Sequence, residues 1–176
     1  MMRWAISLGS MCLLLAACGG GGGDDGADDA GATQKSTVPA AQFSRRGDEL
    51  CRQLIDKEID ARIQQRLQAI QTSSASEEEK LRRAVPLLAE QLSIITAFRR
   101  DFERLGMPTA HANDVHAMLE KARSAEEELD RAIESARSGD LRNSNDALHR
   151  YAGFSAQSAS VARDSELNFA ICGSGA

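Results

Sequence analysis

Between Asp48 and Cys172 the chain holds only three glycines and two prolines, while Ala, Leu, Glu, Arg and Gln abound. Those five residues are among the least costly in a helix, and the residues that force turns are nearly missing. So long a stretch with so few stops folds into a few long helices packed on one another. The sequence therefore predicts an all-α domain.

The first helix is expected over Phe43–Gln71, where Cys51, Ile55, Ile59, Ile63 and Leu67 recur every fourth residue. A strict four-residue step drifts by about 40° per turn, so this apolar stripe winds around its helix. Residues 72–75 form a polar break, and Ser76 with Glu79 makes a capping box that starts the second helix. Pro86 lies inside that helix and predicts a kink. Arg99, Arg100 and Arg104 crowd its last turns, where cations suit the helix dipole; an anion-binding patch is the alternative. Gly106 and Pro108 stop it.

A third helix follows from residues 109–113. Val115, Leu119, Ala122, Leu129, Ile133 and Ala136 keep a heptad-like beat, into which Glu126 intrudes. A glutamate on that seam needs a partner such as arginine, or holds its proton. Gly139 ends the helix and Asp140 caps a fourth, making a tight helical hairpin. The last helix carries Leu141, Leu148, Ser155, Ala162 and Phe169 on one seam, and its Ala and Ser content allows a close neighbour. The expected architecture is an antiparallel up-down-up-down four-helix bundle over residues 43–172, with a short tail at 173–176.

Residues 1–17 have the parts of an export signal: Arg3, an apolar run from Trp4 to Leu15, then small residues. The run is too short to span a bilayer of about 30 Å as a helix. Leu15-Ala16-Ala17-Cys18 resembles the lipobox of bacterial lipoproteins. The resemblance implies cleavage before Cys18 and acyl chains on that cysteine, with the membrane as first partner. Residues 18–42 read as a tether of Gly, Asp, Ala, Ser and Thr whose single large aliphatic side chain is Val38. About 24 such residues span roughly 27 Å as a coil. Asp24, Asp25, Asp28 and Asp29 lack the alternate spacing of a calcium loop and read as a solvated spacer. The implied location is extracytoplasmic, at the cell membrane, or at an outer membrane where the host has one.

With Cys18 assigned to lipid, Cys51 and Cys172 remain for the exported domain and most simply form one disulfide. Cys51 is near the start of the first helix and Cys172 at the end of the last. In an up-down bundle of helices about 45 Å long these ends meet only if the number of helices is even. The disulfide and the four-helix reading thus support each other.

The early helical Cys51, the Gly139-Asp140 turn and the terminal Cys172-Gly173 resemble small helical actinobacterial lipoproteins of unknown function. The resemblance implies a fold and a location and brings no activity or catalytic residue with it.

No catalytic constellation is legible. His111 and His116 are five apart, off the i,i+4 spacing of paired metal ligands on a helix. A metal site would need His149 beside His116 and a carboxylate. Glu77-Glu78-Glu79 and Glu126-Glu127-Glu128 point around their helices and read mostly as solvated faces, with Glu126 the exception. Arg46-Gly47-Asp48 matches an integrin-type tripeptide but falls within a predicted helix, where that recognition shape is not available. The formal charge of −5 with scattered basic residues argues against nucleic acid. The expectation is a non-enzymatic accessory or interaction module of the cell envelope, anchored through Cys18, with an envelope protein or polymer as partner. It carries no cofactor and no metal. The alternative is a lipoprotein that holds a small molecule or metal between its helices.

Overall fold

The computed structural model describes residues 37–172, without the side chains of residues 58–61. The signal segment 1–17, Cys18, most of the tether and the tail 173–176 lie outside the described residues. The described chain forms five helices and one two-residue parallel pairing. In order these are β1 (Thr37–Val38), α1 (Ala40–Ala61), α2 (Ile63–Thr72), α3 (Glu77–Glu103), β2 (Met107–Pro108), α4 (Ala112–Arg137) and α5 (Leu141–Asp164).

The single helix expected over Phe43–Gln71 is two. Arg62 adopts left-handed backbone, φ 51° and ψ 30°, between α1 and α2. The four-residue apolar step accounts for this break. From Cys51 to Leu67 a continuous helix would carry its stripe about 160° around the axis, away from a fixed core. One left-handed residue resets the phase, so Cys51 in α1 and Ile63 and Leu67 in α2 are all buried. Packing here overrides a local sequence that holds no glycine or proline.

The ordered domain also starts before Phe43. Thr37 pairs with Met107 and Val38 with Pro108, and the Val38 carbonyl accepts from the Thr109 N–H at 2.9 Å. Val38 is buried in the core. The one large aliphatic side chain of the expected tether thus draws the chain onto the domain, and α1 begins directly after Pro39.

Other boundaries follow their local chemistry. Ser76 caps α3 by accepting from the Glu79 N–H at 3.2 Å, and Glu77, Glu78 and Glu79 occupy its positively polarised first turn. α3 stays one helix through Pro86, where the ring leaves the carbonyl four residues earlier without its N–H. Gly139 takes φ 78°, and Asp140 Oδ1 accepts from the Asn143 N–H at 3.1 Å to open α5. α5 ends at Asp164, short of the expected seam residue Phe169. Ser165 turns extended and its hydroxyl donates to the Ala162 carbonyl, while Asn168 takes φ 55°. Residues 165–172 form a non-helical strap that returns Phe169 to the core.

Side-chain contacts tie α3 to each of its helical neighbours. Phe43 of α1 meets Phe102 of α3, Arg66 of α2 meets Glu90 of α3, and Arg123 of α4 meets Glu103 of α3. α4 and α5 approach most closely. The hydroxyls of Ser144 and Ser158 reach across to the carbonyls of Ala132 (3.0 Å) and Met118 (3.1 Å), with Ala125, Ala132, Ala136, Ala147 and Ala162 buried. Small side chains permit that spacing, and the buried hydroxyls have acceptors.

The core has two parts. One gathers Val38, Phe43, Phe102, Leu105, Val115, Leu119 and Leu167 at the end where the chain enters and the strap returns. The other gathers Ile63, Leu67, Leu87, Leu88, Leu129 and Ile133 toward the turns at Ser73–Ser76 and Gly139. Gln91, itself buried, donates to the Tyr151 hydroxyl at 3.1 Å.

Candidate functional site

The entry end concentrates the polar and covalent contacts that tie distant parts of the chain together. Ser44, Gly47, Asp48 and Cys51 lie at i, i+3, i+4 and i+7 on α1, which places them on one face. All four act on the strap. The Ser44 hydroxyl contacts the Leu167 carbonyl at 2.5 Å. Gly47 lies against the Phe169 ring. The Asp48 carboxylate accepts three backbone N–H groups in a row, from Ala170 (2.9 Å), Ile171 (2.8 Å) and Cys172 (3.1 Å). Cys51 is disulfide-bonded to Cys172, with their Cα atoms 5.3 Å apart across 121 residues of sequence.

The expected pairing of Cys51 with Cys172 is therefore present. The Arg46-Gly47-Asp48 tripeptide sits inside α1, where Gly47 is buried and both Asp48 oxygens hold backbone amides. Its aspartate is an internal clamp. The face spacing of Ser44, Gly47, Asp48 and Cys51 was visible in the sequence, but nothing there told that one chain segment would engage all four.

A second constellation joins α3 to α4. The Arg99 guanidinium donates to Glu126 at 2.7 Å and to Glu103 at 2.8 Å; Thr96 completes Glu126 at 3.1 Å, and Arg123 reaches Glu103 at 3.0 Å. The Arg99 and Glu126 side chains are 13% and 11% exposed, so the pair is nearly desolvated. The Glu126 hydrogen bond leads the forces that hold Arg99 above its already high ordinary pKa, against burial. For Glu103 burial pulls upward, but the Arg99 and Arg123 hydrogen bonds together hold its carboxyl below its ordinary value. Glu126 thus turns inward to the arginine partner its position demanded. Arg99 belongs to this network, Arg104 pairs with Asp101 at 2.7 Å, and Arg100 is exposed, so the three arginines form no shared anion patch.

The reading of Glu127 and Glu128 as solvated holds only for Glu127. Glu128 is buried between Arg131 (2.5 Å) and Arg150 (2.9 Å), which ties α4 to α5. Its position beside Leu129 on the helix face packed against α5 explains the inward turn.

The histidines stay apart. His111 heads α4 in left-handed backbone, with Nε2 3.5 Å from Glu166 and Nδ1 3.8 Å from Asp114. His116 stands 3.9 Å from Glu120 on the exposed side of α4, and His149 is exposed on α5. Among the described residues no group of three or more His, Cys, Asp or Glu side chains is placed to hold a metal ion. Between α1 and α3, Leu50, Leu54, Ile94 and Phe98 line a shallow crevice rimmed by Lys57 and Asp101, with about 10 Å³ of free space, room for about one water. Among the described residues no helix is long and apolar enough to cross a membrane.

The fold and the clamp define a disulfide-closed helical domain. Comparison with protein-family models, with curated proteins and with solved structures finds no match to this chain.

Proposed function

We propose that the chain is a lipid-anchored, extracytoplasmic interaction module, held to the membrane through acyl chains on Cys18 and without catalytic activity. In this reading α1 and α2 together make one arm of an antiparallel, up-down-up-down four-arm bundle with α3, α4 and α5. The observation that carries it joins the lipobox Leu15-Ala16-Ala17-Cys18 to the pairing of Thr37–Val38 with Met107–Pro108. The chain arrives from Cys18 at the disulfide end, which leaves the turns at Ser73–Ser76 and Gly139 as the end directed away from the membrane. The partner, an envelope protein or polymer, is met there.

A non-enzymatic role is supported by how the charged side chains are engaged. Arg99, Glu103, Arg123 and Glu126 satisfy one another, Arg131 and Arg150 satisfy Glu128, and Asp48 holds backbone amides. Groups so engaged are poor proton carriers or nucleophiles.

Metabolic labelling with an alkyne fatty acid tests the anchor. The expected result is a labelled protein in the membrane fraction that becomes unlabelled and soluble as Cys18→Ser. An unlabelled wild-type chain that leaves the membrane in a salt or carbonate wash overturns the reading.

A further inference from the structure

We propose that Asp48 is a positioning residue for the disulfide: its carboxylate docks the C-terminal strap on α1 first, and the Cys51–Cys172 bond then seals a strap already in place. The argument rests on which amides Asp48 holds. They are those of Ala170, Ile171 and Cys172, so the clamp fixes the backbone of the cysteine itself. Asp48 lies three residues before Cys51 on the same face of α1. One carboxylate thereby sets the Cys172 backbone over the Cys51 side chain, at a Cα separation of 5.3 Å, within the roughly 4.4–6.8 Å a disulfide needs. Ser44 holds the Leu167 carbonyl and Phe169 lies on Gly47, so the strap is seated along its length by contacts that do not involve sulfur. Without such seating, two thiols 121 residues apart in sequence would have only the sulfur chemistry itself to bring them together.

The sealing step balances with a small disulfide as oxidant. The half-buried Cys172 is the accessible member of the pair, and Cys51 is buried. The Cys172 thiolate attacks oxidised glutathione, forming a mixed disulfide and releasing one glutathione thiolate. The Cys51 thiolate then attacks the Cys172 sulfur and releases the second. The two protons from the cysteine thiols end on two glutathione thiols, and one disulfide has been exchanged for another.

The inference is independent of the anchor, and its test needs no membrane. The full chain carrying Cys12→Ser and Cys18→Ser has Cys51 and Cys172 as its only thiols. Equilibration in glutathione redox buffers gives the effective concentration of the two thiols for each other, and hydrogen exchange of the reduced chain reports the strap. Two results are expected. The reduced chain protects the amides of residues 170–172, and Asp48→Asn lowers the effective concentration about tenfold, the loss of one charge-assisted contact, with Asp48→Ala lowering it further. Ser44→Ala, which touches the strap but not Cys172, has a smaller effect in the same direction. A general loss of helix stability would weaken reduced and oxidised chains alike and leave the ratio unmoved. An unchanged effective concentration in Asp48→Asn overturns the proposal. So does exchange of the 170–172 amides at unfolded-chain rates in the reduced chain, a readout that needs no variant to fold.

Discussion

Gly47 lies directly beneath Phe169: a Cβ placed on it would stand 2.6 Å from Cε1 of that ring, and 3.1 Å from Cζ of Phe102. The Phe102 ring is fully buried and packs edge-on against Phe43 at 5.5 Å between centroids, so it has nowhere to retreat. Phe169 sits on the strap and is the ring that must move. Gly47 is thus the residue that lets the strap close on α1, although a glycine inside a helix is locally unfavourable.

Gly47→Ala sets these two effects against each other. Alanine gains about 1 kcal/mol of helix propensity, while overpacking a filled site costs typically about 1–3 kcal/mol. Displacing Phe169 also disturbs the Asp48 contacts that follow it. The expected balance is a loss of about 1 kcal/mol, read as a lower urea midpoint at unchanged slope. An increase in the midpoint would mean that the strap yields freely at this position.

The buried pair of Arg99 and Glu126 gives a second prediction. Arg99→Met leaves Glu126 nearly desolvated with only Thr96 to answer it, and removing one member of a buried pair costs about 3–5 kcal/mol. The residual exposure of both side chains places the expected loss toward the lower figure. Replacing both partners, as Arg99→Met with Glu126→Leu, removes the stranded charge and restores most of the stability. A double-mutant cycle in urea measures the recovery; losses that simply add would show that the two groups do not share one interaction.

Much of the helical frame could be read from the residues. Ser76, Gly139 and Asp140 act through local hydrogen bonds and backbone freedom, so their positions alone placed the ends they fix. The inward turn of Glu126 was legible because a heptad beat assigns it a face. Glu128 was not, because a run of three glutamates hides which of them the partner helix meets. The disulfide followed from counting cysteines; the helix count set beside it was one short, because nothing in the local sequence marks the break at Arg62. The clamp did not, since Asp48 meets the strap only after the whole chain has folded back on itself. Val38 was misread as tether because two residues of parallel pairing leave no periodic trace.

Acid should weaken the domain partly through Glu103. Its folded pKa lies below the ordinary value of 4.5, so its contribution is fully present above that value and is lost as pH falls through the lowered one. The wild-type urea midpoint is expected to fall across this acid range more steeply than that of Glu103→Gln, which lacks the titrating group. Arg99 shifts in the stabilising sense too, but its change lies far above any pH the fold meets. Parallel midpoint curves for the two chains would show that Arg99 and Arg123 do not favour the ionised form of Glu103.

The joint at Arg62 carries the clearest conflict between local preference and packing. A left-handed non-glycine residue costs about 1–2 kcal/mol, which the chain bears so that Ile63 and Leu67 reach the core on the phase set by Cys51. Arg62→Gly removes that strain while adding roughly 0.5–1 kcal/mol of unfolded-state freedom, so the expected net is a gain of about 0.5–1 kcal/mol. Arg62→Ala keeps the strained backbone and gains nothing from it, which makes it the control. Urea unfolding of the three chains orders them with glycine most stable. A glycine variant less stable than alanine would mean that the joint is not held in the left-handed conformation in solution, and that α1 and α2 run on as the single helix their composition favours.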